Sequence, residues 1–365
     1  MNKINTVCFC IILLAAGVSC KKMLNEKVVS GLTDVYLDTK PGFYAALNAA
    51  YSDCRNFYGS EKGLEMTELG TDIFTNGSDG SFKYFNFYNS QLDPNEQWIT
   101  TLWNNSYHTI NTLNAVLRHS DAVPDLSAEE KNKALGEARW LRAYNYFILV
   151  QTYGSVVLTL EETNTVSYEA TRAPLKDLYD AMISDLEFAI ANLPPVQQDY
   201  GRATKPAAEH LLAKVLLTRA YSTAAEANDF SRSAQLAENV INNYNFRLLD
   251  DFADIFVQGE GEKNDEVIWS VQYTDNKLNN ANNDISAIEE FPNGNPLHLF
   301  FVMQYDILPG MLRDVENGRP FREIRPTLYG LNNFYNRSVD SRYHKSFKTV
   351  WYSNNAATIP KDNDG

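Results

Sequence analysis

The chain has 365 residues, with 46 Asp and Glu against 32 Lys and Arg, and a formal net charge of -14. That acidic balance excludes a nucleic-acid binder, whose partner's phosphates demand a basic surface, and equally a polybasic membrane-binding face. At 44% apolar residues the chain has ample material for a core, and its 21 Tyr and 19 Phe supply many rings for packing or recognition.

The N-terminus reads as an export signal. Lys3 gives a positive start, and Val7 to Val18 is an uninterrupted apolar and small-residue run, too short to span a bilayer. Small residues Gly17, Val18 and Ser19 precede Cys20, the acceptor position of a lipoprotein signal, although a leucine is commoner where Gly17 stands. Residues 1–19 are therefore expected to be removed and Cys20 to carry lipid. Residues 20–41 are expected to form a tether. Of the four cysteines, at 8, 10, 20 and 54, only Cys54 then remains as a thiol. It cannot form an internal disulfide, and its helical spacing from Phe43, Leu47, Ala50 and Tyr51 predicts a small buried hydrophobe.

Gly42 to about Phe57 carries an apolar helical pattern, and residues 58–96 read as an irregular excursion around the turn cluster Asn76 to Ser81. Helical stripes then dominate. Trp103, Tyr107, Ile110, Asn114 and Leu117 share one face. Ser127 with Glu130 forms a capping-box signature for a helix that runs to Tyr153 and ends at Gly154. Pro174 opens the next helix and Pro194 with Pro195 stops it. Helical patterns follow over about Lys205 to Ala225 and about Ser231 to Asn243, and the residues from Glu266 to Tyr273 alternate like a strand. Residues 275–365 are loop-rich. Short breaks between helices, with Ala at close-packing positions, resemble tetratricopeptide (TPR) hairpins in spacing, though not in consensus.

Several stretches, in order over about residues 20–274, resemble the SusD/RagB family of surface lipoproteins of Bacteroidetes. The most specific is Glu137-Ala-Arg-Trp-Leu-Arg-Ala-Tyr-Asn-Tyr-Phe147, continuing to Tyr153-Gly154. Gly201-Arg-Ala-Thr-Lys-Pro-Ala-Ala208 with Ala213-Lys-Val-Leu-Leu-Thr-Arg-Ala-Tyr221, and Asn264-Asp-Glu-Val-Ile-Trp-Ser-Val-Gln-Tyr273, are similar to further family segments. Trp103, Tyr107, Ile110 and Asn114 match the first repeat helix, and Cys20-Lys-Lys-Met-Leu24 the mature start. The resemblance implies a mainly α, SusD-like fold built on TPR-like helix pairs, with long irregular loop excursions and a few short strands. Residues 42–274 would form its N-terminal region. Family members continue into a last helical segment rich in Arg, Tyr, Ala and Glu, and none precedes Gly365, so the resemblance implies an incomplete C-terminal region over 275–365.

The function implied is non-catalytic: capture of an oligosaccharide or glycopeptide at the outer membrane and delivery to a SusC-type TonB-dependent transporter. Two other classes compete, a TPR-type scaffold for peptides or proteins and an anchored glycoside hydrolase. The hydrolase needs two facing carboxylates, which 46 acidic residues neither supply nor deny. The five His, at 108, 119, 210, 298 and 344, have no zincin spacing, and no GxSxG elbow, P-loop or EF-hand loop is present. No cofactor or metal is expected. Rings stack on pyranose faces while amides bond hydroxyls, so the ligand-binding candidates are aromatics and polar residues on predicted loops. They are Tyr84, Tyr88 and Trp98 with Asn76 and Asp79, then Phe291, Tyr329 and Tyr335. Trp140, Tyr144, Phe147, Trp103 and Tyr107 are expected to pack between helices.

Overall fold

A computed structural model describes residues 34–80, 82–166, 168, 170–274 and 295–361. The signal segment, Cys20, most of the tether and Phe291 lie outside the described residues. After a helical turn at Asp34–Leu37 come α1 (Lys40–Asp53) and α2 (Glu61–Glu68), then strand β1 (Phe74–Asn76). Five long helices follow: α3 (Gln97–His119), α4 (Ala128–Tyr153), α5 (Leu175–Asn192), α6 (Lys205–Ala220) and α7 (Asp229–Asn243). Short turns, 3-10 segments and strand β2 (Ile324–Pro326) complete the described chain.

Local chemistry sets these boundaries. Thr39 caps α1 by accepting from the Gly42 amide at 3.2 Å, and Thr204 caps α6 through the Ala207 amide at 3.4 Å. The capping box of α4 is complete: the Glu130 amide donates to Ser127 Oγ at 3.1 Å while Glu130 Oε2 accepts from the Ser127 amide at 3.0 Å. Gly154 ends that helix at φ 70°, a conformation that a side chain disfavours.

Each long helix packs on its successor, and α1 lies against α3 and α4. One main core results, with Phe43, Leu47, Ile110, Leu113, Leu141, Leu149, Leu178, Met182 and Leu186 fully buried. Gly136 lets α4 and α5 approach closely, since a Cβ there would meet Leu193 at 3.1 Å. Trp140 and Tyr144 are buried as expected, and Phe147, Trp103 and Tyr107 pack half-buried against the same core. Cys54 is buried too, and burial pushes its thiol up to about 12, so it stays protonated and unreactive. Among the described residues no helix is long and apolar enough to cross a membrane.

Polar junctions lock the stack. Arg142 forks onto Asp185 of α5 with two bonds of 2.8 Å and reaches Asn114 Oδ1 of α3 at 2.7 Å. Asn114 in turn donates to the Thr159 and Glu161 carbonyls, at 3.1 and 3.0 Å. All three side chains are buried. At the other side of α4, Glu137 accepts from Tyr51 of α1 at 2.9 Å and from Arg202 at 2.8 Å, while the Ala203 amide donates to the Tyr51 hydroxyl. Arg219 likewise clamps the fully buried Asp229, joining α6 to α7.

Two expectations are corrected. The stretch 58–96 is not irregular throughout: it contains α2, β1 and a helical turn at Tyr84–Phe87. β1 escapes a local reading because its partner is β2, paired antiparallel with Phe74 opposite Pro326 and Asn76 opposite Ile324. Conversely, Glu266 to Tyr273 is no strand. Its residues Ile268, Trp269 and Val271 pack on the helical core and the whole segment is half-buried, so it is held by packing against helices and not by pairing within a sheet. The segment is also fastened by Trp269 Nε1 donating to the Gly201 carbonyl at 2.7 Å, and by Arg55 Nε donating to the Gln272 carbonyl at 2.8 Å.

Replacing Arg142 by Ala leaves Asp185 buried without its fork, and loss of one partner of such a pair costs about 3–5 kcal/mol. Urea denaturation of Arg142→Ala should show that loss with an unchanged m-value, since the surface exposed on unfolding is the same.

Candidate functional site

A second, smaller core lies beside the helical one, with Met66 packed against both. Leu69, Phe85, Trp98 and Ile324 are buried in it, with Leu64, Phe74, Phe82 and Leu92 packed around them. It joins the excursion between α1 and α3 to the late segment around β2, and so forms a lobe at one end of the stack. Asn86 ties its turns together: its Oδ1 accepts from the Gly70 amide (3.2 Å), the Thr75 hydroxyl (2.9 Å) and the Asn76 amide (3.2 Å). From the late segment, the Thr327 amide donates to the Ile73 carbonyl at 2.7 Å.

Most of the candidates meet in this lobe, but with different roles. Trp98 is not on a loop; it is the second residue of α3, only 4% exposed, with Phe85 stacked 6.3 Å away at 22° and Phe82 against it. It is a core residue because the helix starts at Gln97, six residues before Trp103, the first residue of the predicted stripe. Tyr84 is half-buried and its hydroxyl donates to Glu96 Oε1 at 2.6 Å. The other oxygen of Glu96 caps α3 by accepting from the Trp98 and Ile99 amides, at 2.8 and 2.9 Å. Burial first, and then the Glu96 carboxylate, push the Tyr84 phenol well above its ordinary value, so it remains a donor. Tyr84 is a support, not a free ring.

Tyr88 and Tyr329 differ, being 66% and 56% exposed. Both are mounted on the turn 70–73. Gly70, at φ 74°, lies under the Tyr88 ring so closely that a Cβ would stand 2.8 Å from it, and Gly330, next to Tyr329, packs on Ile73. Tyr88 itself adopts φ 48°, the left-handed conformation that ends the Tyr84–Phe87 turn and directs its ring outward. Asn76 lies in β1, half-buried, and Asp79 forms an ion pair with Arg322 across the lobe. Tyr335 belongs to a neighbouring ring cluster with Phe334, Tyr343 and Phe347, 4.8 to 6.0 Å away, so most of its surface is engaged.

Concavities flank the lobe. One, of about 570 Å³, lies where Leu92 to Pro94 meet the helices, lined by Thr100, Trp103, Asn104, Tyr153 and Arg172. Trp103 and Tyr153 meet edge to face there, centroids 5.2 Å apart, and Tyr153 donates to the Ile99 carbonyl at 2.7 Å. These residues escaped the sequence reading because helical spacing marks them as packing residues; only the gap beside them distinguishes them. Another cleft, of about 580 Å³, opens over Trp140, Tyr144, Trp269, His210 and Lys214. Trp140 and Tyr144 stack on each other there at 13° and both meet Trp269 at steep angles of 60° and 62°, so these three rings pack largely on one another.

The family model described as "Starch-binding associating with outer membrane", of the SusD-like group, matches residues 44–217, the segment from α1 to α6. Over that segment, a little under half of its length, the chain is SusD-like. A SusD-like protein (P2) of Formosa agariphila is 26% identical over 276 residues, which are 72% of this chain and 52% of that protein. A SusD-like protein of Bacteroides ovatus is 29% identical over 200 residues, 53% of this chain and 36% of that one. The chain thus spans about half the length, or less, of these curated relatives. Among solved structures, a laminarin binding SusD-like protein superposes with TM-score 0.67 at 21% identity, covering 84% of this chain and 66% of its own, which shows the fold. The SusD-like motif residues Glu137, Arg142, Arg202 and Arg219 are those of the polar junctions, so the family signature is a signature of the scaffold.

Tyr84→Phe removes a hydrogen bond to a charged carboxylate and should cost about 1.5–3 kcal/mol in urea denaturation, while α3 keeps its Glu96 cap and its helicity. A loss of less than about 0.5 kcal/mol would mean that the phenol contributes nothing to the lobe.

Proposed function

We propose that this SusD-like chain is a lipid-anchored, non-catalytic glycan binder of the outer membrane that hands oligosaccharides to a SusC-type TonB-dependent transporter. What carries the reading is the pair of exposed rings, Tyr88 and Tyr329, set on one turn of a lobe whose interior is closed by Trp98 and Phe85. A ring with a free face offers a pyranose a flat apolar surface, and a rigid mount spares the ordering cost that a mobile loop would add on binding. Asn76, Asn104 and Arg172 supply donors near the lobe and its seam for hydroxyl groups. The family description and the laminarin-binding neighbour support a glucan as the ligand class.

The small residues before Cys20 support acylation at that thiol. A tether raises the concentration of the binder beside its transporter without adding a contact, and a hinged lid then closes on captured ligand. The expected tether of residues 20–41 is shortened at its C-terminal end, because Leu37 is already buried in the main core and α1 begins at Lys40. Residues from Cys20 to about 33 would serve as the tether, with the helical N-terminal region running to 274 and 275–365 as the C-terminal region. Phe291 and Tyr335 take a peripheral place in this proposal, since neither offers a described free face.

Isothermal titration with laminarin and with soluble starch should give saturable binding to at least one. Tyr88→Ala and Tyr329→Ala should each weaken that binding at least about tenfold, equivalent to about 1.4 kcal/mol, with unchanged circular dichroism. Unaltered affinity in both variants would remove the platform. Release of reducing ends would favour a hydrolase, and retention of proteins alone on an affinity matrix a peptide scaffold. Labelled palmitate should be incorporated by the exported protein and not by Cys20→Ser.

A further inference from the structure

Beneath the lobe, three glutamates from distant parts of the chain face one another. Glu61 and Glu65 lie one turn apart on α2, and Glu323 immediately precedes β2. One carboxylate oxygen from each falls within 4.8 Å of the others. Glu65 is 2% exposed and Glu323 8%, and the Oε2 atom of each is buried without any hydrogen-bond partner. Folded proteins rarely leave buried carboxylate oxygens unsatisfied, so such a pair calls for a missing partner. The ionisable groups acting on the trio are one another, with Glu61 and Glu323 also sharing a hydrogen bond, then Glu96, Asp79 and the Tyr84 phenol beside Glu65, none of them a cation. Neither Glu96 nor Asp79 is free: Glu96 caps α3 and holds Tyr84, and Asp79 is paired with Arg322. Burial, and next the neighbouring carboxylates, hold Glu61 up to about 7 and both Glu65 and Glu323 up to about 8.

We propose that Glu61, Glu65 and Glu323 bind a calcium ion that fastens α2 to β2 and so fixes the base of the lobe. The donors are all hard carboxylate oxygens, and a set within 4.8 Å fits an ion with Ca–O distances of about 2.3–2.6 Å. Magnesium is the poorer occupant, because it surrenders its waters reluctantly and the two deeper carboxylates leave little room for them. Neither histidine nor cysteine takes part, which disfavours zinc. No sequence motif announces the site, since Glu65 and Glu323 meet only through folding. With the ion in place, the excursion that bears Tyr88 and the late segment that bears Tyr329 become one rigid unit.

Isothermal titration of the full chain, stripped with EDTA and free of saccharide, tests the site apart from glycan binding. One calcium per chain is expected, with magnesium at least about tenfold weaker, and a Tm rise of about 5 °C at a hundredfold excess over Kd. Glu65→Gln and Glu323→Gln should each weaken calcium binding at least about tenfold. In EDTA their Tm should equal or exceed that of the unaltered protein, because one of three crowded carboxyl groups, two of them buried, has been replaced by a neutral amide. Glu61→Gln, at a half-buried position, serves if either deeper variant fails to fold. No binding heat and no Tm shift up to about 10 mM calcium, above the range of extracellular calcium modules, would overturn the proposal. So would Gln variants that bind calcium as the unaltered protein does, or that lose the same Tm with and without it.

Discussion

The fork of Arg142 onto Asp185, with Asn114 as third partner, is the contact on which the helical stack turns. It lies where α3, α4 and α5 meet, and it also captures the segment after α4 through Asn114 and the carbonyls of residues 159 and 161. Apolar faces alone would let helices of this kind slide, because Leu, Ile and Ala side chains are interchangeable within a groove at modest cost. A guanidinium held by two parallel bonds and an amide admits one register only, since any shift strands a buried charge. The Glu137 and Arg219 junctions repeat the device further along the stack. These are the residues that carry the family resemblance, and geometry explains it: they specify how repeats dock.

The lobe rests on a different principle. Its core is small, its strands are three residues each, and its two halves come from opposite ends of the described chain. Such a unit cannot stand on local propensity, and it draws order from side chains that bond several backbone groups at once. Asn86 serves three donors, and Glu96 joins a helix cap to Tyr84. In the acidic trio at its base this satisfaction of polar groups is incomplete, with one buried oxygen each of Glu65 and Glu323 left without a hydrogen-bond partner. Display of Tyr88 and Tyr329 depends on the lobe staying closed, which links the scaffold's chemistry to the surface proposed to meet saccharide.

Much of this was legible before any coordinates. The helices from α3 to α7 begin and end close to their sequence signals, because caps, prolines and glycines act within a turn or two of the residues they govern. The capping box at Ser127, the stop at Gly154 and the start at Pro174 are examples, and the burial of Trp140, Tyr144 and Cys54 follows from helical spacing in the same way. The alternation of Glu266 to Tyr273 predicts a strand, and the structure forms none there. A period of two records which side chains face a core and says nothing of whether that core is sheet or helix.

What only the tertiary structure decided is everything that joins residues far apart. β1 exists because residues 74–76 meet residues 324–326, and Trp98 is buried because Phe82 and Phe85 cover it. Trp103 and Tyr153 line a cleft because the stretch from Leu92 to Pro94 stands off from them, and Glu65 faces Glu323 across a gap that no local pattern encodes. Within a helix, neighbours are set by spacing and the chain announces them. Across a fold, neighbours are set by how whole elements dock, and that depends on buried area and satisfied polar groups summed over the entire molecule.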